Sequence, residues 1–258
     1  MAKLIPAAWM KKAAMQRIHL HWTAGGHKAN SVDKKSYHIL VEGDGGLVKG
    51  DRPIHSNAKG SGIKRASHTL NANTGAIGVS LCCMRKSRES PFDAGPSPMT
   101  KKQWNAGMKV LAELADFYNI KITPRTILTH AEVQPNLNIR QKNKWDITRL
   151  AFDPSIKGHA DVGDEMRAQV AAQLDLLRGG SGKKDETPPD STKLAKFRVS
   201  GVHPSTLNFR DNPDGNKIGA LPERTVVEFI SAVGFWWQVR TRLGHVGWVW
   251  SEFLKPVN

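Results

Sequence analysis

Three residues able to hold a metal ion stand where segments of the sequence begin or end: His21 in HLHW, His130 closing TILTH, and Asp146 in NKWD. A catalytic zinc takes three protein ligands of nitrogen, sulfur or oxygen type and keeps one position open, so two His and one Asp suffice. They lie far apart in the chain and no CxxC or HExxH shortcut is present, so only a fold could assemble them. His19 competes with His21. It lies two residues earlier and on a strand would face the same side. The chain has ten His, and any one of them is more often structural or at the surface than a ligand.

The elements that must position these residues can be read from the hydrophobic period. RIHLHW predicts a strand, and YHILVEGDGGLVKG a strand and hairpin with GDGG at the turn. AIGVSLCCM predicts a buried strand and PRTILTH a short strand ending at His130. A helix is expected from Thr100, with Thr100 and Gln103 as a capping box and Trp104, Met108, Leu111, Leu114 and Tyr118 as its apolar stripe. A second helix is expected over 161–178, where Met166, Val170, Leu174 and Leu177 keep helical spacing and Gly179 ends it. Strands and helices in mixture predict an α/β domain with a central mixed sheet flanked by helices, over residues 1–178. Residues 179–193, GGSGKKDETPPDSTK, contain no apolar side chain and read as a flexible linker. From 194 to 258 the runs TVVEFI, FWWQVR and HVGWVW alternate with turn signals such as NPDG, the pattern of a small antiparallel all-β barrel.

Composition narrows the classes of function. Among 258 residues, 38 are Lys or Arg and 23 Asp or Glu, a net charge of +15. The excess is concentrated in 1–178, which carries +12 against +3 in 194–258. Such a chain should meet something anionic: nucleic acid, a membrane surface or an acidic polymer. An apolar fraction of 39%, with eight Trp and eight Phe, excludes disorder as a description of the whole chain. Cys82 and Cys83 are adjacent and build no disulfide framework; in an apolar strand they read as buried packing residues. The apolar runs are a few residues long, far short of the roughly 20 that cross a bilayer. MAKLIPAAWMKKAAM makes a poor secretion signal, so the protein is expected in the cytoplasm on synthesis.

Several motifs in order carry a resemblance: HWTAGG at His21, SYHILVEGDGGLVKGD at Tyr37, NANTGAIGVSL at Asn71, THAEV at His130 and KWD at Lys144. Residues 17–153 resemble the zinc-dependent N-acetylmuramoyl-L-alanine amidases, a family that includes phage lysozyme-type amidases and animal peptidoglycan recognition proteins. The resemblance implies one zinc ion held by His21, His130 and Asp146, and a catalytic Tyr37. It also implies Lys144 beside the metal. His68, just before the NANTGAIG segment, is the better candidate for contacting substrate, together with Asn71. His55 could line the same cleft. Such a zinc would polarise its water and the scissile carbonyl, Lys144 could stabilise the oxyanion, and Tyr37 could orient water or pass a proton. The bond cut would be the amide between the lactyl group of N-acetylmuramic acid and L-alanine. Blander readings stand beside these: Lys144 and Asp146 as a surface pair, Tyr37 as a core tyrosine, Glu132 as either a hydrogen-bond partner of a ligand or a solvated loop acid. The stretch from His130 to Asp146 is longer than in the phage lysozyme-type members, and 56–67 looks like an insertion.

The segment LNFRDNP at Leu207, IGALP at Ile218, WWQVR at Trp236 and GHVGWVWSEFL at Gly244 resembles the bacterial SH3-type domain appended to cell-wall hydrolases. One or two of Trp236, Trp237, Trp248 and Trp250 should reach the surface, since adjacent strand residues face opposite ways. The implied whole is a phage-type endolysin that acts on bacterial peptidoglycan after release from the cell; the oligomeric state is not given by the sequence, and a monomer is the expectation. The wall-binding module raises the enzyme's effective concentration at the polymer. A recognition protein that binds without cleaving, or a bacterial recycling or autolytic amidase, are the alternatives. Nucleic acid is not an expected partner, because no helix-turn-helix, zinc-finger or aromatic-basic motif accompanies the charge.

Overall fold

The computed structural model describes residues 3–178, 195–202, 205–213, 215–233 and 235–257; the expected linker, 179–193, lies outside the described residues. The chain divides into two compact units, Met1–Leu174 and Asp175–Asn258. Among the described residues no helix is long and apolar enough to cross a membrane.

The first unit is built on five strands: β1 (Arg17–Trp22), β2 (Ile39–Val41), β3 (Leu47–Lys49), β4 (Ala76–Leu81) and β5 (Ile127–Thr129), in the order β3-β2-β4-β1-β5. β1 is parallel to both β4 and β5, β4 is parallel to β2, and β2–β3 is the antiparallel hairpin that GDGG predicts. Parallel strands covered on both faces are buried throughout, and β4 is buried at all six positions. The register sorts the two faces. Ile18, Leu20 and Trp22 stand beside Ile77, Val79 and Leu81, while His19 and His21 stand beside Gly78 and Ser80.

Four helices join these strands: α1 (Ser31–Ser36), α2 (Lys101–Tyr118), α3 (His130–Leu137) and α4 (His159–Leu177). α2 covers the apolar face, with Gly107 so close to Leu81 that a β-carbon would stand 3.1 Å from it. Trp104 on α2 is fully buried and its indole N–H donates to Gln169 of α4 at 2.8 Å. The Thr100 hydroxyl accepts the Gln103 N–H at 3.0 Å, as a cap should. The other half of the expected box does not form. Gln103 turns inward, and its amide donates to the carbonyls of Val41 and Cys82 at 2.7 and 3.0 Å, tying α2 to the sheet at the point where the Cys82 N–H also donates to the Val41 carbonyl at 2.8 Å. A two-stranded ribbon, β6 (Arg149–Leu150) and β7 (Asp153–Lys157), precedes α4.

The second unit is an antiparallel sheet of seven strands: β8 (Lys196–Val199), β9 (Thr206–Arg210), β10 (Lys217–Pro222), β11 (Val226–Val233), β12 (Trp236–Thr241), β13 (Val246–Trp250) and β14 (Leu254–Pro256). Trp236 and Trp250 are buried and pack edge to face at 5.3 Å. Trp237 and Trp248 are half-buried; Trp237 rests on Phe197 and Phe229 at 4.7 and 4.9 Å.

Candidate active site

His21 and His130 meet because β1 and β5 run side by side. Leu20 is level with Thr129, so the next residue in each strand direction brings His21 beside His130. The strand expected to end at His130 ends one residue earlier. Thr129 is the N-cap of α3 and His130 its first residue, and the Glu132 carboxylate accepts the Thr129 N–H at 2.8 Å. Asp146 arrives from the following loop, its carbonyl accepting the Ala131 N–H at 2.6 Å. The outcome is a near-equilateral triangle: His21 Nδ1, His130 Nδ1 and Asp146 Oδ2 are each 3.1 Å from the other two.

The donor set fits a divalent metal. Ligand atoms bonded at about 2.0–2.1 Å in a tetrahedron stand roughly 3.3 Å apart, close to this triangle. Burial pushes the His21 pKa down to about 4, with the neighbouring His130 adding to the effect against the Asp146 contact, so the imidazole is neutral at physiological pH. Burial alone would raise the Asp146 pKa, but the contacts from His130 and His21 outweigh it and hold the group down to about 2. A buried carboxylate facing imidazoles is the arrangement a cation completes. Among the described residues a second trio, His19, His21 and His68, also brings its nitrogens together. His19 faces the same side of β1 as His21, yet its Nδ1 is taken by Thr69 Oγ1 at 2.9 Å.

The other expected site residues fall into two groups. Tyr37, the C-cap of α1, lies with its ring 5.2 Å from that of His21. Burial, with the Asp146 charge adding, raises its pKa far above the ordinary value, so the phenol keeps its proton. The chain can pass Tyr37 only with a glycine at 50, where a β-carbon would stand 1.8 Å from the Tyr37 carbonyl oxygen. Lys144 is exposed, and its charge reaches His21. His68 is placed behind the triangle. It is 7% exposed, with Nδ1 2.8 Å from Thr69 Oγ1 and 3.2 Å from His21 Nε2 and Nε2 3.5 Å from Asn57 Nδ2. Asn71 is exposed and lines a cavity of about 670 Å³ with Arg140, Lys142 and Asn143. His55 sits half-buried in a short turn, Ile54–Asn57.

Sequence reasoning missed Thr69, which touches three histidines, and Gln141, which touches His130. Neither residue type signals such a role; the one hint was the unusual length of the loop that carries Gln141. Glu132 is neither a partner of a ligand nor a solvated acid. It is 1% exposed and pairs with Arg167 of α4 at 2.9 Å. The segment 56–67 is anchored by Asn57, whose side chain exchanges two hydrogen bonds with the Ala66 backbone.

Residues 11–164 match the family model described as N-acetylmuramoyl-L-alanine amidase, and residues 205–255 match that of the bacterial SH3 domain. No curated protein sequence matches the chain. Solved structures that it resembles include the N-acetylmuramoyl-L-alanine amidase LysC from Clostridium intestinale, at 16% identity over 62% of this chain and 87% of that one, TM-score 0.38. The Ph2119 endolysin of a Thermus scotoductus bacteriophage is also 16% identical, over 53% and 80%, TM-score 0.35. Drosophila peptidoglycan recognition protein SA is 12% identical over 55% and 78%, TM-score 0.35. With the 11–164 match taking in every residue of the triangle and its surroundings, the chain belongs to the N-acetylmuramoyl-L-alanine amidase family, a peptidoglycan amidase followed by a bacterial SH3 domain.

Proposed function

We propose that His21, His130 and Asp146 hold one zinc ion, and that the protein works as a phage-type endolysin. The observation that carries the zinc reading is the 3.1 Å triangle of two imidazole nitrogens and one carboxylate oxygen. When bound, zinc supplies Lewis-acid polarisation of the scissile carbonyl and acidifies water near neutral pH. The chain's own residues do the rest. Lys144 offers an ammonium to the developing oxyanion. Tyr37, held as the neutral phenol, is a hydrogen-bond donor across the neutral range and orients the reacting groups. Asn71 contacts the stem peptide in the cavity beside the triangle, where Arg140 and Lys142 face its carboxylates. His68 supports His21 from behind.

The SH3 domain is proposed to keep the enzyme on the wall. The basic amidase unit favours approach to an acidic polymer. The protein is made in the cytoplasm, acts after release, and works as a monomer with no nucleic-acid partner.

Zinc content and hydrolysis of purified peptidoglycan, for wild type and His130→Ala, test the reading. About one zinc per chain is expected, with free L-Ala amino termini that vanish in the variant. Wall binding with neither metal nor cleavage would reduce the protein to a recognition module. For the endolysin role, cells expressing the protein should stay intact until a pore-forming protein is co-expressed; lysis without the pore would sink it.

A further inference from the structure

Gln141 lies between α3 and β6 and is 6% exposed. Its Nε2 stands 3.0 Å from the Leu70 carbonyl and 3.2 Å from the Ile139 carbonyl. Carbonyl oxygens only accept, so the amide nitrogen must lie on that side and the amide oxygen on the other. That oxygen, Oε1, is 3.1 Å from His130 Nε2. It too only accepts, so a neutral His130 must carry its ring proton on Nε2. The lone pair then sits on Nδ1, the atom that faces His21 and Asp146. The Gln141 backbone N–H donates to the Gln134 side chain of α3 at 2.9 Å, so main chain and side chain are both held.

We propose that Gln141 is a positioning residue: it fixes His130 in the Nε2–H tautomer and so presents a bare Nδ1 to the metal. The proposal rests on the reading of the triangle as a metal site. Without the amide oxygen, the ring proton has a competing home on Nδ1, where the Asp146 carboxylate 3.1 Å away accepts it in a charge-assisted hydrogen bond, and the lone pair is lost to the metal. His21 has no such constraint. Its Nε2 faces His68 Nδ1 and Thr69 Oγ1, groups that can each donate or accept. His130 is therefore the ligand whose proton the protein dictates, as an outer hydrogen-bond partner does for a metal-ligating histidine. Because the same amide binds the Leu70 carbonyl, next to Asn71, the His130 ring is tied to the wall of the cavity.

Two variants separate this role from simple tethering of the loop. Gln141→Leu loses the acceptor for Nε2–H and both donor bonds. Gln141→Glu keeps an acceptor and loses the same donor bonds. Zinc affinity of the full chain, measured by chelator competition on folded protein, should weaken about 10- to 100-fold in Gln141→Leu and return to within a few-fold of wild type in Gln141→Glu. Equal loss in both variants, or no loss in either, overturns the proposal. Nitrogen-15 spectra of the metal-free wild type, taken well above the ordinary His pKa of about 6.5, give a second reading. A pyrrole-type Nε2 and pyridine-type Nδ1 on His130 support it, and the reverse assignment overturns it. A wild type that takes up no zinc defeats the metal reading itself, while the tautomer measurement still decides the role of Gln141.

Discussion

Gly78 lies directly against the ring of His68: a β-carbon at position 78 would stand 2.4 Å from His68 Cδ2. Since His68 backs onto His21 at 3.2 Å, the glycine sets how close the whole histidine layer can sit to β4. Gly78→Ala should push His68 outward and disturb His21. Overpacking of this kind costs about 1–3 kcal/mol. A thermal melt and a zinc assay on the variant check it, and wild-type values in both would show that His68 can move without consequence.

Tyr37 should act through a hydrogen bond and not by ionising. Its pKa is raised by burial and by the Asp146 charge, so between pH 6 and 9 it stays a phenol and contributes no limb to the pH–rate profile. Tyr37→Phe is expected to lower kcat by about 100-fold, the scale for losing one donor aimed at the reacting groups, with the profile unchanged in shape. A limb present in the wild type and absent from the variant would instead make Tyr37 a titrating acid or base.

The Glu132–Arg167 pair is a structural clamp between α3 and α4. Arg167 also donates to the Ile127 carbonyl at 3.1 Å, and a β-carbon on Gly163 would stand 2.0 Å from Glu132 Oε1. Removing one member of a buried pair costs about 3–5 kcal/mol where the other charge is left uncompensated; here Asp164, 2.7 Å from Arg167, remains as a counter-charge and keeps the cost below that range. Glu132→Gln should therefore lower the midpoint of urea unfolding while the folded variant still binds one zinc. Unchanged unfolding with loss of metal would return Glu132 to the site.

His38 should make the metal-free protein acid-sensitive. Burial depresses its pKa to about 4, and the Gly78 N–H donates to its Nδ1 at 2.9 Å, a bond that only the unprotonated nitrogen accepts. Below its ordinary pKa of about 6.5 the unfolded chain binds a proton that the folded chain refuses. Stability is therefore complete above that value and falls as pH drops toward 4, by on the order of 3 kcal/mol for one such group. His21 titrates with the same sign. His38→Gln, which keeps an acceptor for the Gly78 N–H, should flatten part of the slope in denaturant titrations from pH 7 to 4. An unchanged slope would show that His38 does not titrate in this window.

Read alone, the sequence determined what depends on local period and residue type. The strand pattern of RIHLHW and the apolar run AIGVSLCCM marked the strands, the apolar stripe from Trp104 to Tyr118 marked α2, and the β-branched and aromatic runs from Thr225 onward marked the second unit. The ordered motifs around His21, His130 and Asp146 named the three residues that the structure gathers. Tertiary structure decided which atoms face one another. Gln103 has the spacing of a capping box, yet the Val41 and Cys82 carbonyls at the sheet claim its amide. His130 begins α3 instead of ending a strand, because the chain turns at Thr129. His68, grouped by motif with Asn71, is packed behind His21 while Asn71 lines the cavity. Gln141 owes its contact with His130 to a loop that closes on Leu70, 71 residues earlier. Spacing along a chain carries no information about which way such a loop folds back. That is set by strand register and by the requirement that each buried donor and acceptor find a partner.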